Sequence, residues 1–158
     1  MDTLDLDINM RVNGEDVQAR IAPRKTLVDF LRDDLCLTGT HVGCEHGVCG
    51  ACAVRLDGEV VRGCLVFAVQ CDGSRIETIE GLSDSGAIAD LQMAFQRRNA
   101  LQCGYCTPGM LIGAQELLAA LVLFRRVRGD EPAQFSPRFQ GPAFAGTSGS
   151  RAGTASVG

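Results

Sequence analysis

Tryptophan is absent, tyrosine occurs once and phenylalanine seven times, so the chain has no series of aromatic faces on which nucleic-acid bases could stack. Basic charge is scarce as well. Lys and Arg number 15 against 19 Asp and Glu, for a formal net charge of -4 and a pI of about 5.1, and this excludes the electrostatic footprint of a nucleic-acid binder. A secretory leader is not expected either: Met1 to Asp7 alternates acidic and apolar residues, the opposite of a basic n-region followed by an apolar stretch. The longest apolar stretch, Met110 to Phe124, is broken by Gln115 and Glu116 and is short for a bilayer. No membrane span is therefore expected, and a cytoplasmic location follows as the default. Glycine-rich phosphate loops and nucleophile–base pairs are missing too, so no organic substrate site is expected on this chain. What remains, 46% apolar and 22% charged residues in 158, is the composition of an ordinary globular protein of one domain or two small ones.

Against that plain background stand eight cysteines: Cys36, Cys44, Cys49, Cys52, Cys64, Cys71, Cys103 and Cys106. In a reducing compartment such a density points to metal or redox chemistry rather than to a disulfide framework. Cys44-x4-Cys49-x2-Cys52, followed by Cys64 after eleven further residues, has the spacing of a plant-type 2Fe-2S site. Four thiolates must converge on two irons, and the inorganic sulfides want backbone N–H donors close by. A loop containing Gly43, Gly47 and Gly50 can fold over such a core without Cβ clashes. A zinc site would have to combine Cys52 with Cys103, fifty residues apart in sequence and far outside ribbon spacing. His41, His46, Glu45 and Asp57 read as non-ligands, Cys36 as a small buried residue closing a helix, and Cys71 as a turn residue without a role.

The flanking pattern predicts α+β architecture. Leu4, Leu6, Ile8 and Met10 alternate with polar residues, as do Val17, Ala19 and Ile21 beyond Asn13-Gly14, which is a hairpin signal. Thr26 is a candidate N-cap for a helix ending near Leu35. Val54 to Val61 around Asp57-Gly58 reads as a second hairpin, with short strands expected at Leu65–Val69 and Arg75–Ile79. Residues 80–86 read as a linker. Ile88, Leu91 and Phe95 suggest one further helix, and Thr107-Pro108 starts another with an apolar face of Leu111, Ala114, Leu117, Leu118 and Leu121. The second dicysteine, Cys103-Gly104-Tyr105-Cys106, lies just before that start. By itself it is equally a low-pKa dithiol or half of a metal site.

Taken together, Gly43 to Cys52, the position of Cys64, and Gln102 through Met110 resemble the small iron–sulfur subunit of the molybdenum hydroxylases. This is the family of xanthine dehydrogenase, aldehyde oxidoreductase, bacterial carbon monoxide dehydrogenase and the N-heteroaromatic hydroxylases. The likeness covers roughly residues 4–120. It implies a β-grasp, plant-type ferredoxin-like domain over 1–80 and a helical domain over 81–121, each carrying a 2Fe-2S cluster. It also implies a large molybdopterin subunit and an FAD-binding medium subunit as partners, with electrons passing from molybdenum through the helical-domain cluster and the ferredoxin-domain cluster to FAD. On this resemblance Cys44, Cys49, Cys52 and Cys64 hold the cluster of the ferredoxin-like domain. Cys103 and Cys106 are half the ligands of the other, and Gln102 contacts the pterin.

The family pattern then breaks. Its remaining two ligands come from a C-x-C motif about thirty residues further on, and no cysteine follows Cys106 here. From Arg125 to Gly158 there are five Arg against one Asp and one Glu, with six Gly and three Pro, a composition that predicts disorder over 122–158. With fourteen Arg to one Lys in the whole chain, an out-of-frame translation of a GC-rich gene would produce the same tail. The helical domain is thus expected to be incomplete and its second cluster doubtful. Two further readings stand beside the electron-transfer subunit: a free-standing one-cluster ferredoxin carrier, and a truncated or frameshifted small subunit without function.

Overall fold

The computed structural model describes residues 4–128, apart from the side chains of 125–127. Strands β1 (Leu6–Val12) and β2 (Glu15–Ile21) pair antiparallel with Val12 opposite Glu15. Between them Asn13 and Gly14 both take positive φ, 51° and 91°, as a two-residue hairpin requires. Asp57 (52°) and Gly58 (96°) repeat the device between β3 (Ala53–Leu56) and β4 (Glu59–Arg62). Strand β5 (Arg75–Glu77) lies parallel to β1 and antiparallel to β3, giving the order β2-β1-β5-β3-β4. This mixed five-stranded sheet with a helix across it is the expected β-grasp arrangement.

Helix α1 (Leu27–Asp29) begins where predicted, with Thr26 Oγ1 accepting from Asp29 N–H at 3.2 Å, and continues as a π-helical turn over Phe30–Asp34. Leu27, Phe30 and Leu31 are fully buried against Ile8, Met10, Val54 and Ile76. The buried face of β1 starts at Ile8, since Leu4 and Leu6 are exposed. Leu65–Val69 is not a strand. Its backbone serves the start of α1 instead, with Leu27 N–H donating to Val66 and Ala68 N–H to Lys25, and the flanking residues form 3-10 turns at Gly63–Leu65 and Ala68–Cys71. The two isolated cysteines exchange roles relative to expectation. Cys36 is exposed at φ 56°, because the chain reverses at the helix end, whereas Cys71 is a fully buried core residue on its 3-10 turn.

Residues 80–86 are not a linker. Helix α2 (Ile79–Asp84) occupies most of them and buries Ile79 and Leu82. It starts there because Asn13, in the first hairpin, accepts from Thr78 N–H (2.8 Å) and donates to Thr78 Oγ1 (3.0 Å). Helix α3 (Ala89–Arg97) follows, with Ile88, Leu91 and Phe95 on its packed side as the periodicity predicts. Helix α4 (Thr107–Arg128) lies against β3 through Leu111 and Ile112, and Arg55 donates to Gln115 Oε1 at 3.1 Å. It does not stop near Leu121 but runs on to Arg128, so the expected tail begins as helix; the rest of it, 129–158, lies outside the described residues. Thr107–Phe124 has a mean hydropathy of 1.5 and is, by length and composition alone, long enough to cross a membrane. That window adds Thr107, Pro108 and Gly109 to the Met110–Phe124 stretch. The N-terminal turns of α4 are nevertheless committed to packing on the sheet.

Candidate iron–sulfur site

The four predicted cysteines come from two places. Cys44, Cys49 and Cys52 lie on the loop between the α1 region and β3, and Cys64 on the 3-10 turn after β4. The loop has no regular secondary structure, so its shape rests on backbone conformation and side-chain props. Glu45, Gly47 and Gly50 all take positive φ (56°, 82°, 77°), which turns successive N–H groups inward. Arg32 donates to the carbonyls of Thr38 (2.8 Å) and Thr40 (2.9 Å), and Glu80, from α2, accepts from Gly39 N–H (2.8 Å). The crowding is close. A Cβ on Gly43 would meet Cys49 Sγ at 3.1 Å, and one on Gly47 would strike the Leu65 side chain at 2.4 Å. Sequence reasoning anticipated the glycines but not Leu65, Arg32 or Glu80, whose roles depend on tertiary contacts.

The thiols gather at the mouth of this cradle. Cys49 N–H donates to Cys44 Sγ at 3.4 Å. That contact, then the His46 N–H, and then the Cys49 side chain and the Val48 N–H, bring the Cys44 thiol down to about 6 against an opposing effect of burial. Cys64 is pushed up to about 11, first by burial and then by the adjoining Cys52 thiol, while Gly47 N–H pulls the other way and the charge of Cys44 adds to the rise. The contacts thus fall into pairs, Cys44 with Cys49 and Cys52 with Cys64. Cys52 is buried and Cys49 exposed. Among the described residues, no three His, Cys, Asp or Glu side chains converge as they would on a single ion. Two adjoining pairs beneath backbone donors suit a two-iron core, with its sulfides held by N–H groups.

His46 Nδ1 is turned onto the Cys44 carbonyl and His41 Nδ1 onto the Tyr105 carbonyl, so neither presents that nitrogen to the thiols. Glu45 and Asp57 are exposed, as expected. Asp57 instead caps the start of β5, and acceptance from Arg75 N–H, then from the Ser74 hydroxyl, holds its carboxyl below the usual range.

The second dicysteine is laid against this loop. Gly109, in the first turns of α4, would place a Cβ 2.1 Å from the Gly50 carbonyl oxygen, so helix backbone rests on loop backbone. Cys103 and Cys106 are both exposed, Cys106 Sγ lies 3.5 Å from Met110 Sδ, and Gln102 is exposed beside Cys103. Two thiols are half of what a 2Fe-2S core needs, and these residues do not by themselves fit a second one.

Two family models match adjoining parts of the chain: a 2Fe-2S iron–sulfur cluster binding domain over residues 10–79 and a 2Fe-2S binding domain over 78–132. The chain is 53% identical over 115 residues to the nicotine 6-hydroxylase small subunit of Paenarthrobacter nicotinovorans, spanning 73% of this chain and 69% of that one. It is 51% identical over 113 residues to the caffeine dehydrogenase subunit gamma of a Pseudomonas strain, spanning 72% and 68%. This chain belongs to the iron–sulfur small subunits of the molybdenum hydroxylases. Among solved structures, the quinoline 2-oxidoreductase of Pseudomonas putida 86 superimposes with a TM-score of 0.69 at 40% identity, over 85% of this chain and 86% of that one. Similarity to subunits of oxidoreductase complexes supports the electron-transfer subunit over the free-standing carrier. The second family model also passes Leu121, as α4 does.

Proposed function

We propose that this small subunit relays single electrons from the molybdopterin centre of a large subunit toward FAD on a medium subunit, in the cytoplasm. Cys44, Cys49, Cys52 and Cys64 are the residues that hold its 2Fe-2S core. When bound, that core supplies a one-electron acceptor and donor. The observation that carries the reading is the gathering of these four thiols beneath the N–H groups of His46, Gly47, Val48 and Cys49. Donors so placed stabilise negative charge on sulfur, and hence the reduced form, before any partner is present. Cys52 is buried and Cys49 exposed, so Cys52 would hold a bound core from the protein side and Cys49 from the solvent side. Gln102, exposed next to Cys103, is the residue assigned to the pterin of the large subunit. Cys103 and Cys106 carry no step in this scheme, because the described residues offer them no further thiol.

Anaerobic purification of the full chain with iron and sulfide tests the assignment. The expected product is brown, holds iron and acid-labile sulfide in equal amounts at one 2Fe-2S core per chain, and shows one EPR signal on reduction. A colourless product, or one with zinc in place of iron, overturns it.

A further inference from the structure

The single tyrosine of this chain, Tyr105, sits between the two cysteines of the second pair, and it is half-exposed. An exposed aromatic residue in a loop usually has idle groups, but the hydroxyl, carbonyl and ring of Tyr105 are all engaged with one segment. Its hydroxyl donates to the Val42 carbonyl at 2.5 Å. Its carbonyl accepts from His41 Nδ1 at 2.6 Å, which fixes the proton of that imidazole on Nδ1. Its ring stacks on His41 with centroids 4.6 Å apart and planes 14° from parallel. Gly43 comes next in that segment, and a Cβ there would lie 3.7 Å from Tyr105 Cε1 and 3.1 Å from Cys49 Sγ. Only the width of one glycine separates the ring from a candidate iron ligand.

We propose that Tyr105 is a positioning residue that latches the Cys103–Cys106 loop onto the Cys44–Cys52 loop, and so sets the geometry and environment of Cys44 and Cys49. The Val42 carbonyl shares its peptide plane with the Gly43 N–H, immediately before Cys44. A hydroxyl bonded to that carbonyl fixes the plane and polarises it, while the stacked ring pair shields the Gly43 side of Cys49 from water. The inference rests on the reading that Cys44 and Cys49 hold the core, and extends it by assigning a residue outside the ferredoxin-like domain to control of that core.

The test uses the full chain carrying Tyr105→Phe, which removes only the hydroxyl bond, or Tyr105→Leu, which removes the stack as well. Leu117→Ala, on an exposed and remote turn of α4, is the control. Reconstituted protein is expected to keep its iron and sulfide in Tyr105→Phe. Its midpoint potential and EPR g-values should shift, more so in Tyr105→Leu and not at all in Leu117→Ala. In the metal-free chain, amide hydrogen exchange over residues 42–49 is expected to be several-fold faster in Tyr105→Phe than in the parent. Unchanged potential, spectrum and exchange in both tyrosine variants overturn the latch. A parent chain that binds no iron defeats the earlier reading instead, and the exchange measurement alone then decides whether the latch exists.

Discussion

The cysteines of this chain sit in contrasting environments, and the thiol pKa values of Cys44, Cys64 and Cys71 follow from local contacts. Cys44 lies among inward N–H groups and is lowered to about 6; Cys64 and the core residue Cys71 are each raised to about 11 by burial. Only the thiolate attacks an alkylating reagent. A lowered pKa therefore means that Cys44 is reactive above about pH 6, whereas Cys71 stays protonated until about pH 11. Brief iodoacetamide labelling of the metal-free chain, read by peptide mass, should show Cys44 half-maximal near pH 6 and Cys71 silent at neutral pH. Labelling of Cys44 that rises only near the ordinary thiol pKa of about 8.5 would show that the N–H groups do not act on it. Spacing made the four ligand candidates legible, because a rigid core demands fixed separations along the chain. It could not settle Cys36 and Cys71, whose burial is decided by where a helix end turns and what packs beside a 3-10 turn.

At the scale of elements, the decisive contact is the landing of α4 on the cysteine loop. Gly109 is buried there, with the Gly50 carbonyl oxygen 2.1 Å and the Ala51 Cα 3.2 Å from where a Cβ would stand. Neither neighbour is a flexible side chain, so Gly109→Ala must push the helix away and loosen Leu111 and Ile112 from Ala53. The cost expected of such overpacking is about 1–3 kcal/mol, measurable as a lower urea midpoint. Gly113→Ala, one turn on with open space at its Cβ, should instead be neutral or slightly stabilising, by up to about 1 kcal/mol from helix propensity. Equal losses in the two variants would show that contact with the loop is not the cause. The Thr107-Pro108 signal revealed the start of α4, but not what its first turn rests on. Residues 80–86 read as a linker in sequence for a related reason. Their polar, glycine-containing sequence is short of helical signals, and α2 forms on support from Asn13, a residue whose turn role was legible and whose side-chain role was not.

For the molecule as a whole, the sheet half is closed around one continuous core while the helical half is not. Leu111 and Ile112 are buried, but further along α4 Leu117 is 62% exposed, Leu121 48%, Leu123 63% and Phe124 53%. The sequence showed a helix with an apolar face and no complete set of partner helices. Which residues of that face would find cover depended on the docking angle, so Ile112 is buried where Leu117 was expected. An exposed apolar surface of this extent drives self-association of an isolated chain. The purified full chain should accordingly elute as concentration-dependent oligomers. The double variant Leu117→Glu/Leu121→Glu should move it toward a monomer in sedimentation velocity. Since none of the four candidate ligands lies on that face, iron and sulfide content should not change. A variant that stays oligomeric would place the association elsewhere, and one that loses its iron would mean that the exposed half of α4 supports the cysteine loop through contacts beyond those of Gly109 and Tyr105.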